Sequence, residues 1–268
     1  NYHELFLGGG SVLFAILSLQ KQNKIKIHHK LYAYDINNSL IQLYKHIQTN
    51  KDELFEYIQF YHNEYDNLKG TVINRKPLTI EEAKTSKESY YYWIRNKFNS
   101  MKKEEIEHSA LFLFLNKTCF RGIYREGPNG FNVPYGHYKK TPSIISKEEL
   151  ENISSLIQDV EFKSMSFEDS IKLVKKGDFI YLDPPYVPLD SKSFVKYVVD
   201  GFNENAHKTL FSKIKSLKEI YFILNNSKVD FVLECFKNYE KEEIIAKRAI
   251  HCKNPESTVI ELLIHNLP

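Results

Sequence analysis

Cysteine and tryptophan are scarce in this chain, and no apolar run is long. The three cysteines, Cys119, Cys235 and Cys252, are odd in number and far apart, which fits neither a disulfide framework nor a zinc site. The cytoplasm, where thiols stay reduced, is therefore the expected location. The apolar runs are far shorter than the roughly 20 residues of a membrane helix. We therefore expect no membrane span and no signal peptide.

The charge balance excludes a further class of protein. With 37 basic and 34 acidic residues, the net charge is only +3. The surface is therefore not a uniform basic coat for nucleic acid, although a local basic patch is compatible with it. The ten histidines show no spacing typical of metal ligands, and we expect no metal site. Hydrophobic residues make up 42% of the 268 residues, which predicts one large folded domain or a core plus an insertion.

The strongest local pattern is Gly-Asp-Phe-Ile-Tyr-Leu-Asp-Pro-Pro-Tyr at positions 177–186. Its apolar run is typical of a buried strand. Asp183 then places a carboxylate at the carboxyl end of this strand, Pro184 and Pro185 stiffen the turn, and Tyr186 adds an aromatic face. Ligands bind at the carboxyl ends of the strands in open α/β sheets. This stretch therefore predicts a pocket for a flat ring that carries an exocyclic amine.

A glycine turn near the start predicts a second part of the pocket. Gly8, Gly9 and Gly10 follow a strand-like segment and precede an apolar helix, so the backbone can approach a ligand at a helix amino terminus. The turn lacks a full dinucleotide fingerprint and the lysine of a P-loop, and an ordinary packing turn would look similar. Asp35 ends the next predicted strand, where its carboxylate could bind ribose hydroxyls or serve only as a turn residue. The spacing of the two features favours nucleoside binding.

Strands and helices alternate at both ends of the chain but not in the middle, where residues 48–115 show only helical patterns. We predict an α/β domain of residues 1–47 and 146–268 and an inserted domain of residues 48–145. The predicted strands are 1–7, 30–34, 159–163, 179–182, 220–224, 242–246 and 258–264. The last two are expected to pair antiparallel, because the connection is too short for a helical crossover. The helices predicted in the α/β domain are 12–17, a helix from Ser39, 167–174, 203–217 and 229–236.

An aromatic and basic segment, residues 116–140, follows the helical region. Its Gly-Pro-Asn-Gly sequence at 127–130 is a strong turn signal, so 123–125 and 131–133 are expected to pair as a β-hairpin. Five basic residues against one acidic residue give the segment a local charge of +4. Arginine offers a bidentate donor to guanine, and an aromatic side chain can enter a base stack. The segment therefore predicts either a DNA contact or an ordinary surface hairpin.

These motifs together resemble the Dam-type, alpha-class DNA adenine-N6 methyltransferases over nearly the whole chain. Eight blocks stand in the order of that family: 4–12, 35–37, 90–99, 116–138, 183–189, 193–197, 201–203 and 248–250. The resemblance implies an α/β fold with a Rossmann-like, S-adenosylmethionine-dependent methyltransferase sheet, helices on both faces, and an inserted, mostly helical DNA-recognition domain that carries the β-hairpin. It also implies methyl transfer from S-adenosylmethionine to the N6 amine of an adenine flipped out of a short duplex site.

The resemblance further implies roles for single residues. Asp183 and the carbonyl of Pro184 would accept hydrogen bonds from the adenine amine, beside Pro185 in the same turn, and Tyr186 would stack on the adenine. The residues implied for cofactor binding are Phe6, Gly8, Gly9, Gly10, Ser11, Asp35, Asn37 and Asp183. The residues implied for DNA contact are Lys117, Phe120, Arg121, Arg125, Asn132, Tyr138, Phe194 and Tyr197.

Three features depart from the family pattern. Arg121 stands where the Dam enzymes usually have asparagine, and this version of the hairpin segment is similar to that of relatives that modify CATG rather than GATC. Phe120 would still be the aromatic wedge and Arg125 the arginine that binds guanine. Ser166 stands where many relatives have an acidic residue near the adenine of the cofactor. The family's tryptophan-x-glycine-glycine-lysine segment does not precede the first strand, so we expect residues before Asn1.

Other classes fit the motifs less well. Glutamine N-methyltransferases usually have asparagine at the position of Asp183 and lack the hairpin. A cytosine-C5 methyltransferase needs a Pro-Cys nucleophile, and a nicotinamide oxidoreductase needs a tighter glycine fingerprint. A catalytically inactive DNA-binding relative and an adenine-N6 methyltransferase acting on RNA remain alternatives. The expected partners are double-stranded DNA and a restriction endonuclease that acts on the same site without forming a complex, and the enzyme is expected to be a monomer or weak dimer.

Overall fold

The computed structural model describes residues 1–189, 202–247 and 258–268. The chain forms two compact units, one made of residues 1–36 and 159–268 and the other of residues 37–158. Helix α2, Asn38–Thr49, begins the second unit and packs against later helices of the same unit. The proposed limits of a catalytic and a recognition domain, 1–47 with 146–268 and 48–145, stay a prediction.

The first unit is built on a sheet of seven of the described strands. The strands are β1 Tyr2–Glu4, β2 Leu31–Asp35, β5 Val160–Ser164, β6 Phe179–Leu182, β7 Tyr221–Ser227, β8 Glu240–Lys247 and β9 Thr258–His265. Their order is β5-β2-β1-β6-β7-β9-β8. The first five are parallel to one another, and β9 lies antiparallel to both β7 and β8. This mostly parallel sheet, flanked by helices, confirms the predicted Rossmann-like α/β class and the antiparallel final pair.

The order of the strands explains where a site can form. From β1 the chain proceeds through β2 to β5 on one side of the sheet, and then returns to β6 and β7 on the other side. Glu4 at the end of β1 lies opposite Tyr181 of β6. The connections after these two strands therefore run away from each other and leave a crevice at their carboxyl ends, the switch point at which ligands bind in such sheets.

Helices pack on the sheet, because both have apolar faces that are buried against each other. They are α1 Ser11–Lys21, α8 Phe167–Ser170 with a 3₁₀ turn at Ile171–Leu173, α9 Glu204–Ser216 and α10 Asp230–Cys235. Leu210, Phe211 and Ile214 of α9 pack into a core with the β6 and β7 side chains Leu182 and Leu224. The atoms of such a core are packed about as densely as in a crystal of small organic molecules. Removing even a single methylene group therefore affects the stability of the protein.

Two predicted strand ends of this sheet differ from the structure by three residues, and the other ends of its strands differ by at most two. The first strand ends at Glu4 rather than at Leu7, because the backbone turns toward the glycines. The β7 strand continues through Asn225 to Ser227, although its apolar run stops at Leu224. The additional residues pair with β9, so a neighbouring strand, rather than local composition, sets that end.

The second unit is mostly helical. Its helices are α2 Asn38–Thr49, α3 Lys51–Asp66, α4 Ile80–Ala83, α5 Lys87–Ser100, α6 Ile106–Thr118 and α7 Lys147–Leu156. A hairpin forms at the predicted turn, but its strands are not 123–125 and 131–133. Because the chain reverses between Gly127 and Gly130, β3 Glu126–Gly127 pairs antiparallel to β4 Gly130–Phe131. In the amphipathic helix α3, Leu54 and Ile58 are buried, whereas Phe60 is exposed.

Helix α7 was not predicted from its apolar spacing, but it carries a clear start signal. The Ser146 hydroxyl accepts from the Glu149 amide, and the Glu149 carboxylate accepts from the Ser146 amide, which completes a capping box. This pairing satisfies two of the amide donors that a helix start leaves free. Over the residues that the structure describes, no helix is both long and apolar enough to cross a membrane.

Candidate active site

A cavity of about 650 Å³ lies in the first unit at the carboxyl ends of β1, β2 and β6. Its wall brings together segments that are far apart in the chain. The lining residues are Leu5, Phe6, Gly8, Asp35, Ile36, Met165, Ser166, Phe167, Glu168, Asp183, Pro184, Pro185, Tyr186, Phe202 and Ala206. The glycine turn and the Asp-Pro-Pro-Tyr turn therefore face one cavity, as expected from the switch point of the sheet.

The glycine turn is held in an open, left-handed conformation. Gly8 has φ of 49° and Gly10 has φ of 70°, values that glycine adopts without the steric cost of a side chain. The Gly8 amide donates to a carboxylate oxygen of Asp35 at 2.9 Å, so this carboxylate also stabilises the turn. A Cβ added at Gly8 would meet no atom of the described residues within 4 Å. Backbone and open space thus form a cradle that a ligand can enter.

The other walls of the cavity are apolar and aromatic. Phe6 stacks on Phe167 with ring centroids 5.8 Å apart and meets Phe202 edge-on at 5.7 Å. Ile36 is 79% exposed and lines the cavity next to Asp35. A flat apolar ring attached to a sugar fits this set of groups, with Asp35 available to the hydroxyls and the aromatic wall to the ring. The residues present therefore fit a nucleoside cofactor.

The Asp-Pro-Pro-Tyr turn follows β6 and is held by a hydrogen bond to the neighbouring strand β7. The Val187 amide donates to Asn226 Oδ1 at 3.1 Å, and Asn226 is fully buried in β7. Pro184 is buried, whereas Asp183 and Pro185 are exposed to the cavity. The turn therefore presents one carboxylate and one proline face to a ligand while its far end is anchored to the neighbouring strand.

Burial raises the pKa of Asp183 above its ordinary value, although the carboxylate is open to the cavity on one side. Protein atoms around the group displace part of its water, the neighbouring Tyr186 hydroxyl lowers the pKa, and the charge of Glu261 raises it. The Tyr186 hydroxyl donates to Glu261 Oε2 at 3.1 Å and accepts from Asn225 Nδ2. Burial next to these groups raises the pKa of Tyr186 as well, so this phenol keeps its proton.

Glu4 is a second carboxyl group near the cavity, buried at the end of β1 with 2% of its surface exposed. The Tyr2 hydroxyl donates to its Oε2 at 2.7 Å. Loss of solvation raises the pKa of Glu4 to about 7, against the lowering effect of the Tyr2 hydrogen bond, and the charge of Asp183 raises it further. The folded state therefore binds a proton at this group more tightly than the unfolded chain does.

Glu4 should make the protein less stable as the pH rises. Because its pKa in the folded state lies above the unfolded value, its contribution to the free energy of unfolding is fully present below pH 4.5 and is lost as the pH rises to about 7. The loss is on the order of 3 kcal/mol. Glu4→Gln keeps the acceptor for Tyr2 and removes the charge. Urea unfolding at several pH values should therefore show the variant more stable than the wild type at pH 8 but not at pH 4. An equal change in the exposed control Glu242→Gln would contradict this cause.

The hairpin segment of the second unit presents the predicted DNA-binding side chains on its surface. Phe120 is 43% and Tyr138 41% exposed, and Lys117 is exposed. The Arg125 Nε donates to Asn132 Oδ1 at 2.6 Å, which orients the guanidinium group although both residues are exposed. These groups are therefore available to a ligand, and one of them is held in a set direction.

Arg121 has an unusual backbone conformation. Its φ is 59° and its ψ is 18°, in the left-handed region where asparagine is several-fold enriched over most other residues. Its guanidinium carbon lies 4.8 Å from the centroid of the Phe120 ring, within the range of a cation–π contact. Asparagine would suit this backbone turn, and the arginine here adds a contact to the aromatic side chain.

The remaining predicted site residues lie elsewhere. Among the described residues, Gly9, Gly10 and Ser11 do not line the cavity. Asn37 belongs to the second unit, where its Oδ1 accepts from the Leu40 amide and caps α2. The aromatic residues Phe194 and Tyr197 lie outside the described residues, as do 190–201 as a whole and 248–257.

The sequence did not predict the residues of β7 and β9 that hold the Asp-Pro-Pro-Tyr turn. Asn225 and Glu261 contact the Tyr186 hydroxyl, and Asn226 holds the turn. The only local signal was a pair of asparagines after an apolar run. Ser166 caps the short helix α8 by accepting from the Asp169 amide and also lines the cavity, with the acidic Glu168 close by in the lining.

The chain is similar to known proteins along nearly its whole length. A family model described as D12 class N6 adenine-specific DNA methyltransferase matches residues 1–250. The type II methyltransferase M.MjaIII of Methanocaldococcus jannaschii is 34% identical over 274 residues, 99% of this chain and 88% of that protein. The type II methyltransferase M1.LlaDCHI of Lactococcus lactis subsp. cremoris is 30% identical over 99% of this chain and 86% of its own length. A DNA adenine methylase of Haemophilus influenzae is 29% identical over 84% of this chain and 73% of its length.

Proposed function

The chain belongs to the D12 class of N6 adenine-specific DNA methyltransferases, and from this premise we propose how its residues perform the reaction. The protein is an S-adenosylmethionine-dependent enzyme that methylates the N6 amine of adenine at specific sites in DNA. The observation that supports the proposal most strongly is the meeting of Gly8, Asp35 and Asp183 around one cavity at the switch point of the sheet.

The proposed cofactor site is the half of the cavity next to the glycine turn. Phe6 and Gly8 would hold the amino-acid part, Asp35 the ribose, and Ile36 one face of the adenine. Gly9, Gly10 and Ser11 would contribute by shaping the turn and the start of α1, and Asn37 by capping α2. When bound, S-adenosylmethionine supplies an electrophilic methyl group.

The proposed role of the Asp-Pro-Pro-Tyr turn is to prepare the nucleophile. The lone pair of an adenine amine is delocalised into the ring, which makes the nitrogen a poor nucleophile. The Asp183 carboxylate and the Pro184 carbonyl would accept hydrogen bonds from the two amine hydrogens and favour a pyramidal nitrogen with a localised lone pair. Tyr186 would stack on the base, and Pro185 would keep the turn rigid. The chemistry then depends on position and electrostatics, without a covalent enzyme intermediate.

Changing Gly8 should weaken cofactor binding as well as strain the fold. In Gly8→Ala the new methyl group would occupy the cradle, and alanine at a φ of 49° adds a strain of about 1–2 kcal/mol. We expect the dissociation constant for S-adenosylmethionine, measured by calorimetry, to rise by about 10-fold or more.

Gly177→Ala is the matched control for this prediction. Gly177 also has a positive φ, 84°, and a Cβ added there would meet no atom within 4 Å in the part of the chain that the structure describes. It precedes β6, at the opposite end of that strand from the cavity. The control should lose similar stability and bind the cofactor as the wild type does. Equal losses of affinity in both variants would show that strain alone accounts for the effect.

We also propose that the hairpin segment reads the DNA sequence. Duplex DNA must release the target adenine from its stack before the amine can enter a pocket. Phe120 would enter the gap, Arg125 would bind a guanine edge, and Lys117, Arg121, Asn132 and Tyr138 would contact neighbouring groups. Phe194 and Tyr197 stay proposed DNA contacts outside the described residues. By analogy with the relatives called type II methyltransferases, the protein would act beside a restriction endonuclease of the same specificity.

The proposed function is tested by comparing nucleic-acid substrates. The purified protein is mixed with S-adenosylmethionine carrying a labelled methyl group and with duplex DNA, or with RNA of the same sequence. We expect cofactor binding and label in adenine of the duplex only. Cofactor binding with label in RNA would favour an RNA enzyme, and DNA binding without cofactor binding would favour a non-catalytic relative.

A further inference from the structure

Three polar side chains meet behind the Asp-Pro-Pro-Tyr turn, and each comes from a different element. Tyr186 lies in the turn after β6, Asn225 in β7 and Glu261 in β9. The Tyr186 hydroxyl donates to Glu261 Oε2 at 3.1 Å, and the Asn225 Nδ2 donates to the hydroxyl oxygen. All three residues are partly buried. We call these residues the Tyr186 cluster.

The cluster holds the hydroxyl of Tyr186 from two sides. A phenol has one donor and can accept through its oxygen, and both functions are used here by groups on two neighbouring strands. In the register of β7 and β9, Asn225 pairs with Leu263 and Ser227 pairs with Glu261. Asn225 and Glu261 are therefore two residues apart along the paired strands. The position of the Tyr186 ring in the cavity therefore depends on strands β7 and β9, not only on the turn that carries Tyr186.

We propose that Glu261 is a positioning residue of the methylation site, which with Asn225 holds the Tyr186 ring and sets the charge that faces Asp183. The proposal rests on the proposed function, in which Tyr186 stacks on the adenine and Asp183 binds its amine. Glu261 itself touches neither the base nor the cofactor in this account. It acts through Tyr186 and through the field at the Asp183 carboxylate.

Several ionisable groups face Asp183 from the elements packed around it. They are Glu4 from β1, Tyr181 from β6, Tyr186 from the turn and Glu261 from β9. Desolvation is the largest reason for the raised pKa of Asp183, and the negative charge of Glu261 adds to it. Removing that charge should therefore lower the pKa of Asp183. Because the amine is bound by the ionised carboxylate, the acidic limb of the rate profile should then move to lower pH.

Two substitutions separate position from charge. Glu261→Gln removes the charge but keeps an oxygen that can accept from Tyr186. Glu261→Ala removes both. The single-turnover rate of methyl transfer is measured from pH 5 to pH 9 with saturating DNA and S-adenosylmethionine, and the affinity for duplex DNA is measured separately. The expected result for Glu261→Gln is a nearly unchanged rate on the alkaline plateau and an acidic limb displaced to lower pH.

For Glu261→Ala we expect the plateau rate to fall by about 10-fold, since loss of position alone can cost up to about 100-fold. The affinity for duplex DNA should stay within about 3-fold of the wild type. The hydroxyl-deleted variant Tyr186→Phe should show a similar fall, and adding Glu261→Ala to it should cost little more, because the two changes remove the same contact.

Glu243→Gln is the matched control, since Glu243 lies on the adjacent strand β8, is exposed and pairs with Lys228 at 2.5 Å. Its rate profile should equal that of the wild type. The proposal is overturned if Glu261→Gln leaves the acidic limb in place, or if the losses from Tyr186→Phe and Glu261→Ala multiply. If Glu261→Ala does not fold, the displaced limb in Glu261→Gln still decides. Full activity in Asp183→Ala would instead show that the proposed function of the site is wrong.

Discussion

Replacing Asp183 with alanine is expected to abolish methyl transfer while duplex DNA is still bound. The carboxylate stands at the carboxyl end of β6 on the wall of the cavity, where it can accept from the adenine amine. Without it, one amine hydrogen has no acceptor and the nitrogen keeps its delocalised lone pair. Removing one such aligned partner from an enzyme site costs about 100- to 1,000-fold in rate. DNA affinity should change little, because the other proposed DNA contacts lie on the hairpin segment and at Phe194 and Tyr197.

The measurement is a single-turnover assay of methyl transfer together with a gel-shift titration of duplex DNA. Asp230→Ala is the control, since Asp230 is an exposed acidic residue in the first turn of α10. It should keep both rate and affinity. Transfer at the wild-type rate in Asp183→Ala would remove the amine acceptor from the mechanism. A loss of both DNA binding and stability would point to a structural role for the carboxylate.

Changing Arg125 to lysine should relax the choice of target sequence. A guanidinium group can donate two parallel hydrogen bonds to a guanine edge, and lysine keeps the charge without this geometry. The hydrogen bond from Arg125 Nε to Asn132 at 2.6 Å orients the group before DNA binds. We expect discrimination against a wrong base at one position to fall by about 1–3 kcal/mol.

The test compares methylation rates on a set of duplexes that differ by one base pair around the target adenine. Lys117→Ala serves as the contrasting variant. Lysine binds phosphates without reading a base, so Lys117→Ala should weaken binding to all duplexes alike and reduce the dependence of binding on salt. Selectivity unchanged by Arg125→Lys would show that Arg125 does not read a base.

Much of the first unit could be predicted from local sequence. The apolar runs that became β2, β6 and β7 sit between clear turn residues, and parallel strands buried on both faces need such runs. The placement of Asp183 and the glycine turn on one cavity follows from the same rule, because the carboxyl ends of parallel strands share one edge of the sheet.

The parts that were not predicted depend on partners far away in the sequence. The Tyr186 cluster joins residues 39 and 75 positions from Tyr186, and no local pattern shows that Glu261 in β9 points toward that hydroxyl. The end of β7 was misplaced for the same reason, since Asn225 and Asn226 look like turn residues until β9 pairs with them. The left-handed backbone of Arg121 is likewise invisible in an arginine, which rarely adopts it.

The most direct test of the account is a sequencing map of modified adenines. Unmethylated genomic DNA is incubated with S-adenosylmethionine and either the wild-type protein or Asp183→Ala, and N6-methyladenine is located at single-base resolution. The account predicts that the wild type modifies one adenine within a single short sequence throughout the DNA, and that the variant leaves these sites unmodified. Modified adenines scattered without a common sequence, or the same map from both proteins, would contradict it.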